Sequence, residues 1–152
     1  MNAPAPLKVA VRPADLADAA ERGRIDAFVA EAAGGTIFHR PQWSAAVERG
    51  CGQNAHYLLA ERGGALVGCL PLTYVRSRLF GDALVSAGFG TGGGILGEGG
   101  EPLAEAAWAL AERLGCASAE LRGGPVPQGW AISEGTYANF DRDLPGDAET
   151  LL

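Results

Sequence analysis

The sequence predicts one α/β (α+β) domain in which helices flank a mixed central sheet. Apolar residues follow strand periodicity in some segments and helical periodicity in others, and the two kinds of segment alternate along the chain. The 152 residues are 47% hydrophobic and 20% charged, which suffices for a single domain with a buried core. Residues 1–6 are expected to be a disordered lead-in, and the domain is expected to span residues 7–152.

Apolar spacing and turn residues delimit each element. Glycine is expected to end helices at Gly34, Gly50 and Gly115, and proline lies in the first turn of two of them, at Pro41 and Pro102. The clearest local signal is a hairpin, because two apolar runs meet across the sequence Glu-Arg-Gly-Gly. The expected elements are a strand (7–12), a helix (14–33), an extended connector (36–40), a short helix (41–50), the hairpin (55–76), a strand (82–88), a helix (101–114), a strand (117–123) and a last strand (136–144).

Two helices carry more detailed expectations. Gly23 is a candidate break in the first helix, because glycine is a poor helix former. In the short helix, Trp43, Ala46 and Val47 are expected to face the core, since they recur at helical spacing.

A glycine-rich segment, SAGFGTGGGILGEGGEP, occupies residues 86–102. It matches the dinucleotide-binding pattern G-x-G-x-x-G from Gly88 onward, but the next helix begins several residues too late for its N-terminus to hold a pyrophosphate. Glu98 and Glu101 would also place negative charge beside the phosphates. The favoured interpretation is therefore a tight crossing of backbone segments, for which residues without a Cβ are suited.

The charge and the cysteine content limit the class of function. A net charge of −6 and a pI near 4.8 argue against a broad nucleic-acid-binding surface, because phosphate contacts require clustered lysine and arginine. Three cysteines without a pairing pattern are typical of a reducing compartment. The sequence contains neither a signal-peptide pattern nor an apolar run of membrane-spanning length, so a cytoplasmic location is expected.

The order strand, helix, short helix, hairpin, strand, helix, strand, strand is that of the GNAT acyltransferase fold. The sequence LLAERGGALVGCLPL (58–72) resembles the second and third strands of that fold. In GNAT enzymes, amides of the loop between the fourth strand and the next helix hold the pyrophosphate of acyl-CoA, with the pattern Q/R-x-x-G-x-G/A. This chain has glycines there but neither the arginine nor the glutamine, and it places Glu98 in the loop.

Four segments in order resemble the N-terminal half of FemAB-like proteins, particularly those found with PEP-CTERM and exosortase exopolysaccharide systems. They are TIFHRPQW (36–43), HYLLAERGGALVGCLPL (56–72), LVSAGFGTGGGIL (84–96) and AELRGGP (119–125). Fem proteins are cytoplasmic transferases with two GNAT-like halves, and they move an aminoacyl group from aminoacyl-tRNA onto a peptidoglycan precursor. The resemblance implies that this chain is the acceptor-binding half of a longer protein. A second GNAT-like half and a tRNA-binding region would then lie beyond it.

Two further observations bear on this resemblance. Helix-forming residues begin at Asp147 and the sequence ends one turn later, which indicates the front part of a longer chain. Peptidoglycan-directed members tend to carry a lysine on the short helix, where this chain has Ala45, Ala46 and Val47. The departure weakens the specific case for a UDP-linked peptidoglycan acceptor.

Seven residues are candidates for binding the acceptor, and no catalytic residue is assigned. They are His39, Arg40, Trp43, Phe89, Thr91, Gly92 and Gly93. His39 and Arg40 suit an anionic or sugar group, and Trp43 suits stacking on a sugar. Phe89 and Thr91 lie among glycines whose bare backbone permits close ligand approach. The alternatives are a capping His39, a solvated Arg40, a core Trp43 and a plain strand crossover at the glycines.

Trp108 is a candidate contact for a partner surface. It falls on the glutamate-rich face of the helix at 101–114, where the second half of a longer chain could cover it; the alternative is a lone exposed aromatic residue. His39 and His56 have no carboxylate pattern between them, so no metal site is expected. No tightly bound cofactor is expected either.

The sequence therefore predicts part of an acyl- or aminoacyltransferase of the FemAB-like type. It would act on a cell-envelope precursor or sugar acceptor in peptidoglycan or exopolysaccharide biosynthesis, with aminoacyl-tRNA or acyl-CoA as the donor. Catalysis would come from positioning and carbonyl polarisation. Two alternatives stay open: a stand-alone acyl-CoA-dependent N-acetyltransferase, and a non-catalytic module that binds a glycan or a protein.

Overall fold

The computed structural model describes residues 8–135, 140 and 143. Each helix and strand predicted between residues 7 and 123 is present. The predicted strand at 136–144 lies outside the described residues apart from Phe140 and Asp143. The helix start predicted at Asp147 also lies outside them. The elements are β1 (Ala10–Pro13), α1 (Ala19–Glu31), a 3-10 helix (Ile37–His39), α2 (Pro41–Cys51), β2 (Asn54–Arg62), β3 (Ala65–Val75), β4 (Ala83–Ser86), β5 (Leu96–Gly97), α3 (Gly100–Leu114) and β6 (Ser118–Glu120).

The strands form one mixed sheet in the order β1-β2-β3-β4-β6. Neighbours from β1 to β4 are antiparallel. The β2–β3 hairpin pairs from Asn54 opposite Tyr74 to Arg62 opposite Ala65, with a shift of register between Ala60 and Glu61. β4 and β6 are parallel, because α3 carries the chain back across the sheet between them. The predicted mixed sheet flanked by helices is confirmed.

Two short strands share one edge of β3. Leu72 pairs with Ser86 of β4, and Cys69 pairs with Leu96 of β5. β4 and β5 are therefore two parts of one interrupted strand. Residues 87–95, which we call the glycine loop, leave the sheet between them. The glycine-rich segment is thus an excursion from a strand and does not lead directly into a helix.

The helices cover opposite faces of the sheet. α1 packs on the face that carries Tyr57 and Leu59, whereas α3 packs on the face that carries Leu58 and Leu70. Neighbouring residues of β2 thus enter different clusters, as the period of two along a strand requires. Each buried Leu contributes about 1.5–3 kcal/mol through burial. α2 packs against β2 and β3 beside α1.

The structure corrects three local predictions. α1 passes through Gly23 without a break, because this residue is exposed and a single glycine costs a helix only about 1 kcal/mol. The connector TIFHR is not extended, because the Thr36 side chain caps a 3-10 helix. Ala46 is exposed while Ser44 is buried, so the face of α2 that meets the core differs from the predicted one.

Candidate functional site

The carboxyl ends of β4 and β6 meet at one edge of the sheet, because the two strands are parallel. A glycine-rich segment follows each strand: the glycine loop follows β4, and Gly123 and Gly124 follow β6. A cleft of about 370 Å³ lies between these segments, and we call it the glycine cleft. Ligands of open α/β sheets bind outside the carboxyl ends of the strands, so this cleft is the candidate functional site.

The glycine cleft is lined mainly by backbone and small side chains. Its lining includes three of the predicted acceptor residues, His39, Gly92 and Gly93. Arg122 is the charged side chain that the described part of the chain contributes to it. The lining as a whole consists of Ala33, Gly34, Thr36, His39, residues 92–97 and residues 122–125.

Close packing explains the glycines of the loop. A Cβ on Gly94 would lie 1.9 Å from the carbonyl oxygen of Gly123, and a Cβ on Gly93 would lie 2.3 Å from Cβ of Ala87. Gly93 also has a φ of +89°, which L side chains rarely adopt. The ring of Phe38 packs against the same loop. The predicted tight backbone crossing is therefore confirmed.

His39 connects the 3-10 helix to the glycine loop. Its side chain is buried, the backbone N–H of Thr36 donates to Nδ1 at 3.1 Å, and Nε2 lies 3.2 Å from the carbonyl oxygen of Gly94. This hydrogen-bond pattern assigns the ring proton to Nε2. Burial lowers the pKa of His39, so the ring is neutral near pH 7. In these contacts His39 supports the wall of the cleft, and direct contact with an acceptor stays a prediction.

Tyr57 supports His39 from the sheet and was not singled out by the sequence analysis. Its buried hydroxyl group donates to the carbonyl oxygen of His39 at 2.5 Å and contacts Sγ of Cys69 at 3.2 Å. Burial raises the pKa of Tyr57 well above its ordinary value, so the hydroxyl group stays a donor. The chain from Tyr57 through His39 to Gly94 links the sheet to the glycine loop.

Arg122 is a second residue that the sequence analysis did not single out. Its backbone N–H donates to Oγ of Ser86 at 2.7 Å, which ties β4 to the end of β6. Its Nη1 donates to the carbonyl oxygen of Gly90 at 3.0 Å, and its Nε donates to Glu120 at 2.7 Å. None of the described residues accepts a hydrogen bond from Nη2. A planar guanidinium with a donor left over suits a carboxylate or phosphate in the cleft.

Arg40 and Trp43 lie outside the lining of the glycine cleft. Nη1 of Arg40 pairs with Asp26 of α1 at 2.8 Å. The indole N–H of Trp43 donates to the carbonyl oxygen of Gly88 at 3.2 Å, and its ring meets Phe38 edge to face with centroids 4.8 Å apart. Both side chains hold the structure around the glycine loop, and their roles as acceptor contacts stay predictions.

Phe89 and Thr91 project from the glycine loop on its outer side. Both residues are exposed, and neither lines the glycine cleft. Phe89 has a φ of +62° and Ala87 a φ of +43°, values that are unusual for residues with a Cβ. Such backbone strain persists only where surrounding contacts hold it. The loop therefore has a defined conformation, with Phe89 held at its surface.

The N-terminus of α3 carries acidic side chains. Glu98 pairs with Arg62, and the carboxylate of Glu101 accepts a hydrogen bond from the backbone N–H of Gln128 at 3.0 Å. A helix N-terminus binds anions through its free N–H groups and its positive dipole end. Two carboxylates at this position disfavour a phosphate, so this end of α3 is a poor pyrophosphate site.

Three other observations concern ligands and partners. Within residues 8–135 and at 140 and 143, no three His, Cys, Asp or Glu side chains are placed to hold one metal ion. None of the helices described above has both the length and the apolar character needed to cross a membrane. Trp108 is 47% exposed on the outer face of α3, as its position among glutamates predicts. Its role as a partner contact stays a prediction.

Solved structures similar to this chain confirm the fold class. A ribosomal-protein-alanine N-acetyltransferase from Brucella melitensis biovar Abortus 2308 matches with a TM-score of 0.56 and 16% identity, over 91% of this chain and 100% of that chain. A transcriptional regulator from Bacillus halodurans C-125 matches with a TM-score of 0.58 and 15% identity, over 88% of this chain and 100% of that one. A GNAT family acetyltransferase from Staphylococcus aureus subsp. aureus USA300_TCH1516 matches with a TM-score of 0.53 and 11% identity, over 90% and 98% of the two chains.

These likenesses show that the chain has the fold of GNAT acetyltransferases. No protein-family model and no curated protein matches the sequence.

Proposed function

We propose that this domain is the acceptor-binding unit of a FemAB-like acyl- or aminoacyltransferase in cell-envelope biosynthesis. The observation that carries the proposal is the composition of the glycine cleft. Three of the four segments that resemble FemAB-like proteins, at 36–43, 84–96 and 119–125, contribute to its lining. Segments far apart in sequence thus converge on one site at the carboxyl ends of parallel strands, where a substrate is expected.

The lining of the cleft suits a polar acceptor with an anionic group. Backbone N–H and C=O groups of the glycines offer hydrogen bonds to a sugar or peptide, and Arg122 offers a positive charge. That charge is partly offset by Glu120, which pairs with Nε, so the donor left over on Nη2 is what favours an anion. A sugar-containing precursor with a phosphate or carboxylate has this chemistry.

In the proposed reaction, an amine of the acceptor attacks the activated carbonyl carbon of the donor. A new C–N bond forms as the bond from the carbonyl carbon to the sulfur of CoA or to the ribose oxygen of tRNA breaks. The leaving atom keeps the electron pair of that bond and takes up the proton that the amine loses. The described lining contains no carboxylate, and both ring nitrogens of His39 are engaged with protein groups. This unit therefore contributes positioning, and the remaining chemistry is assigned to a second GNAT-like half.

The same proposal places the protein in the cytoplasm and assigns the tRNA to the second half. Trp108, exposed on α3, is the proposed contact for that half. A buried tryptophan contributes strongly to an interface, because it covers a large apolar area at a small entropic cost.

A stand-alone acyl-CoA-dependent N-acetyltransferase is the second candidate function. It is favoured by the match between most of this chain and nearly the full length of two acetyltransferase structures. The carboxylates at the N-terminus of α3 count against it, because they occupy the place where a pyrophosphate would bind.

Isothermal titration calorimetry on the 152-residue protein distinguishes the two candidates. Although α2 lacks the lysine of peptidoglycan-directed members, Arg122 offers another cation, so we expect UDP-N-acetylmuramoyl-pentapeptide, which carries a diphosphate and peptide carboxylates, to bind and acetyl-CoA not to bind. Arg122→Gln should weaken binding of the precursor by about tenfold or more, because a hydrogen bond to a charged group is lost. Arg62→Gln is the matched control, since Arg62 also pairs with an exposed glutamate but lies outside the cleft.

Two results would contradict the primary proposal. Binding of acetyl-CoA without binding of the precursor would support the stand-alone acetyltransferase. Equal weakening by Arg122→Gln and Arg62→Gln would show that the precursor does not occupy the glycine cleft.

A further inference from the structure

A second surface lies at the end of the sheet opposite the glycine cleft. The turn between β3 and β4, at residues 76–82, precedes the amino end of β4, whereas the cleft follows its carboxyl end. This turn carries Leu79, which is 81% exposed, and Phe80, which is 86% exposed. Two adjacent large apolar side chains with this exposure contribute almost no burial free energy to the fold. An exposed apolar pair of this kind indicates an interaction site.

Hydrogen bonds fix the turn. The carboxylate of Asp82 accepts from the backbone N–H of Ser77 at 3.1 Å and from the hydroxyl group of Tyr74 at 2.6 Å. The backbone N–H of Phe80 donates to Oγ of Ser77 at 3.0 Å. These bonds hold the backbone on both sides of Leu79. The exposed pair is therefore presented by an ordered turn.

Arginines lie on this turn and at the nearby end of α2. Arg76 and Arg78 lie on the turn itself, and Nη2 of Arg76 donates to the carbonyl oxygen of Gly52 at 3.3 Å. This contact brings the end of α2 to the turn, with Arg49 in its last helical turn. The carboxylate of Asp82 accepts from a hydroxyl group and a backbone N–H, which are neutral donors, so it keeps its negative charge near Arg76. Three arginines, which we call the rim, thus accompany the apolar pair.

We propose that the turn at residues 76–82 is a docking tip for an anionic lipid bilayer. Leu79 and Phe80 would enter the interfacial region, and Arg49, Arg76 and Arg78 would contact lipid phosphates. Apolar insertion and attraction to anionic headgroups act together in surface-bound proteins, and neither alone suffices for stable binding. Here the net charge of −6 would oppose binding by charge alone, so the apolar pair is required.

The charge pattern favours a membrane over a protein pocket as the occupant. A purely apolar pocket would not use the exposed Arg76 and Arg78 of the same turn, whereas lipid phosphates would bind their guanidinium groups. The docked orientation leaves the glycine cleft facing water at the far end of the sheet. Docking is therefore compatible with the proposed function but does not depend on it.

Sedimentation with lipid vesicles tests the proposal. We expect the protein to bind vesicles of equal parts phosphatidylcholine and phosphatidylglycerol, to bind phosphatidylcholine vesicles less, and to dissociate as salt is raised. The double variant Leu79→Ser, Phe80→Ser should weaken binding at least about tenfold, because both apolar side chains are lost. The control is the double variant Val126→Ser, Ile132→Ser, which replaces two side chains that are 57% and 61% exposed. This control should bind vesicles as the parent protein does.

A charge-matched pair tests the rim. Arg78→Gln should weaken binding about fivefold, the effect of one cation at an anionic surface. Arg62→Gln changes the net charge equally, but it lies at the β2–β3 turn, at the other end of the sheet, and should leave binding unchanged. Equal effects of Arg78→Gln and Arg62→Gln would overturn the assigned role of the rim.

Phe80→Trp reports insertion directly. Emission from this variant should shift to the blue with mixed vesicles and be quenched by brominated lipid, beyond any change in the parent protein. Circular dichroism verifies that each variant is folded. Lack of binding by the folded parent protein would overturn the proposal, as would binding that the Leu79 and Phe80 variants do not change. Self-association that the double variant abolishes would identify a second copy of the chain as the occupant and would also overturn it.

Discussion

Replacing Gly93 with alanine tests whether the glycine loop is built for close packing. With a φ of +89°, this position costs an L residue about 1–2 kcal/mol of backbone strain. The new Cβ would also lie 2.3 Å from Cβ of Ala87 and 3.1 Å from Cβ of Phe38. Relief of such overlap costs about 1–3 kcal/mol. Together the two effects should lower the free energy of unfolding by about 2–5 kcal/mol.

Urea unfolding followed by circular dichroism measures this loss. The matched control is Gly115→Ala, because Gly115 has a φ of +71° but no atom lies within 4 Å of an added Cβ. The control should show the backbone strain alone, so Gly93→Ala should lose about 1–3 kcal/mol more. Equal losses in the two variants would refute the packing explanation for the loop.

Three further predictions concern residues around the glycine cleft. Tyr57→Phe leaves the carbonyl oxygen of His39 without its donor and should cost about 1–3 kcal/mol in urea unfolding; an unchanged midpoint would contradict this. Ser86→Ala removes the acceptor of the Arg122 backbone N–H and should speed hydrogen exchange at that amide. An unchanged exchange rate would show that this hydrogen bond does not protect the amide. Burial lowers the pKa of His39 in the folded protein below the 6.5 of the unfolded chain. As the pH drops below about 6.5, the unfolded chain binds more protons than the folded protein, so the free energy of unfolding should fall. His39→Gln should remove part of this slope, and His56, whose pKa burial also lowers, should supply the rest; an unchanged slope would refute the assignment.

The sequence predicted the helices and strands that are specified by residues close together in the chain. The β2–β3 hairpin followed from turn chemistry at Gly63 and Gly64, and α3 followed from its apolar stripe and from Gly115. β5 was not predicted, because two residues carry no periodicity and the strand exists only through pairing with β3. α1 continues through Gly23 because one exposed glycine costs only about 1 kcal/mol, which burial of Ile25 and Val29 outweighs.

The sequence predicted only those parts of the candidate site that are specified by nearby residues in the chain. The segments around His39 and Gly93 were identified, and both residues line the cleft. Arg122 was missed, because its place beside the glycine loop depends on the parallel pairing of β4 with β6, which joins residues more than thirty positions apart. Arg40 lies in an expected segment, but its side chain pairs with Asp26 of α1. That side-chain direction is set by the packing of two helices and not by the local sequence.

Nuclear magnetic resonance locates the ligand site residue by residue. Backbone amides of the 152-residue protein would be followed during titration with UDP-N-acetylmuramoyl-pentapeptide and, separately, with acetyl-CoA. The precursor should shift the amide signals of Gly92, Gly93, Gly123 and Gly124, which line the glycine cleft. If acetyl-CoA shifts the signals at the N-terminus of α3 and the precursor shifts none in the cleft, the glycine cleft is not the ligand site.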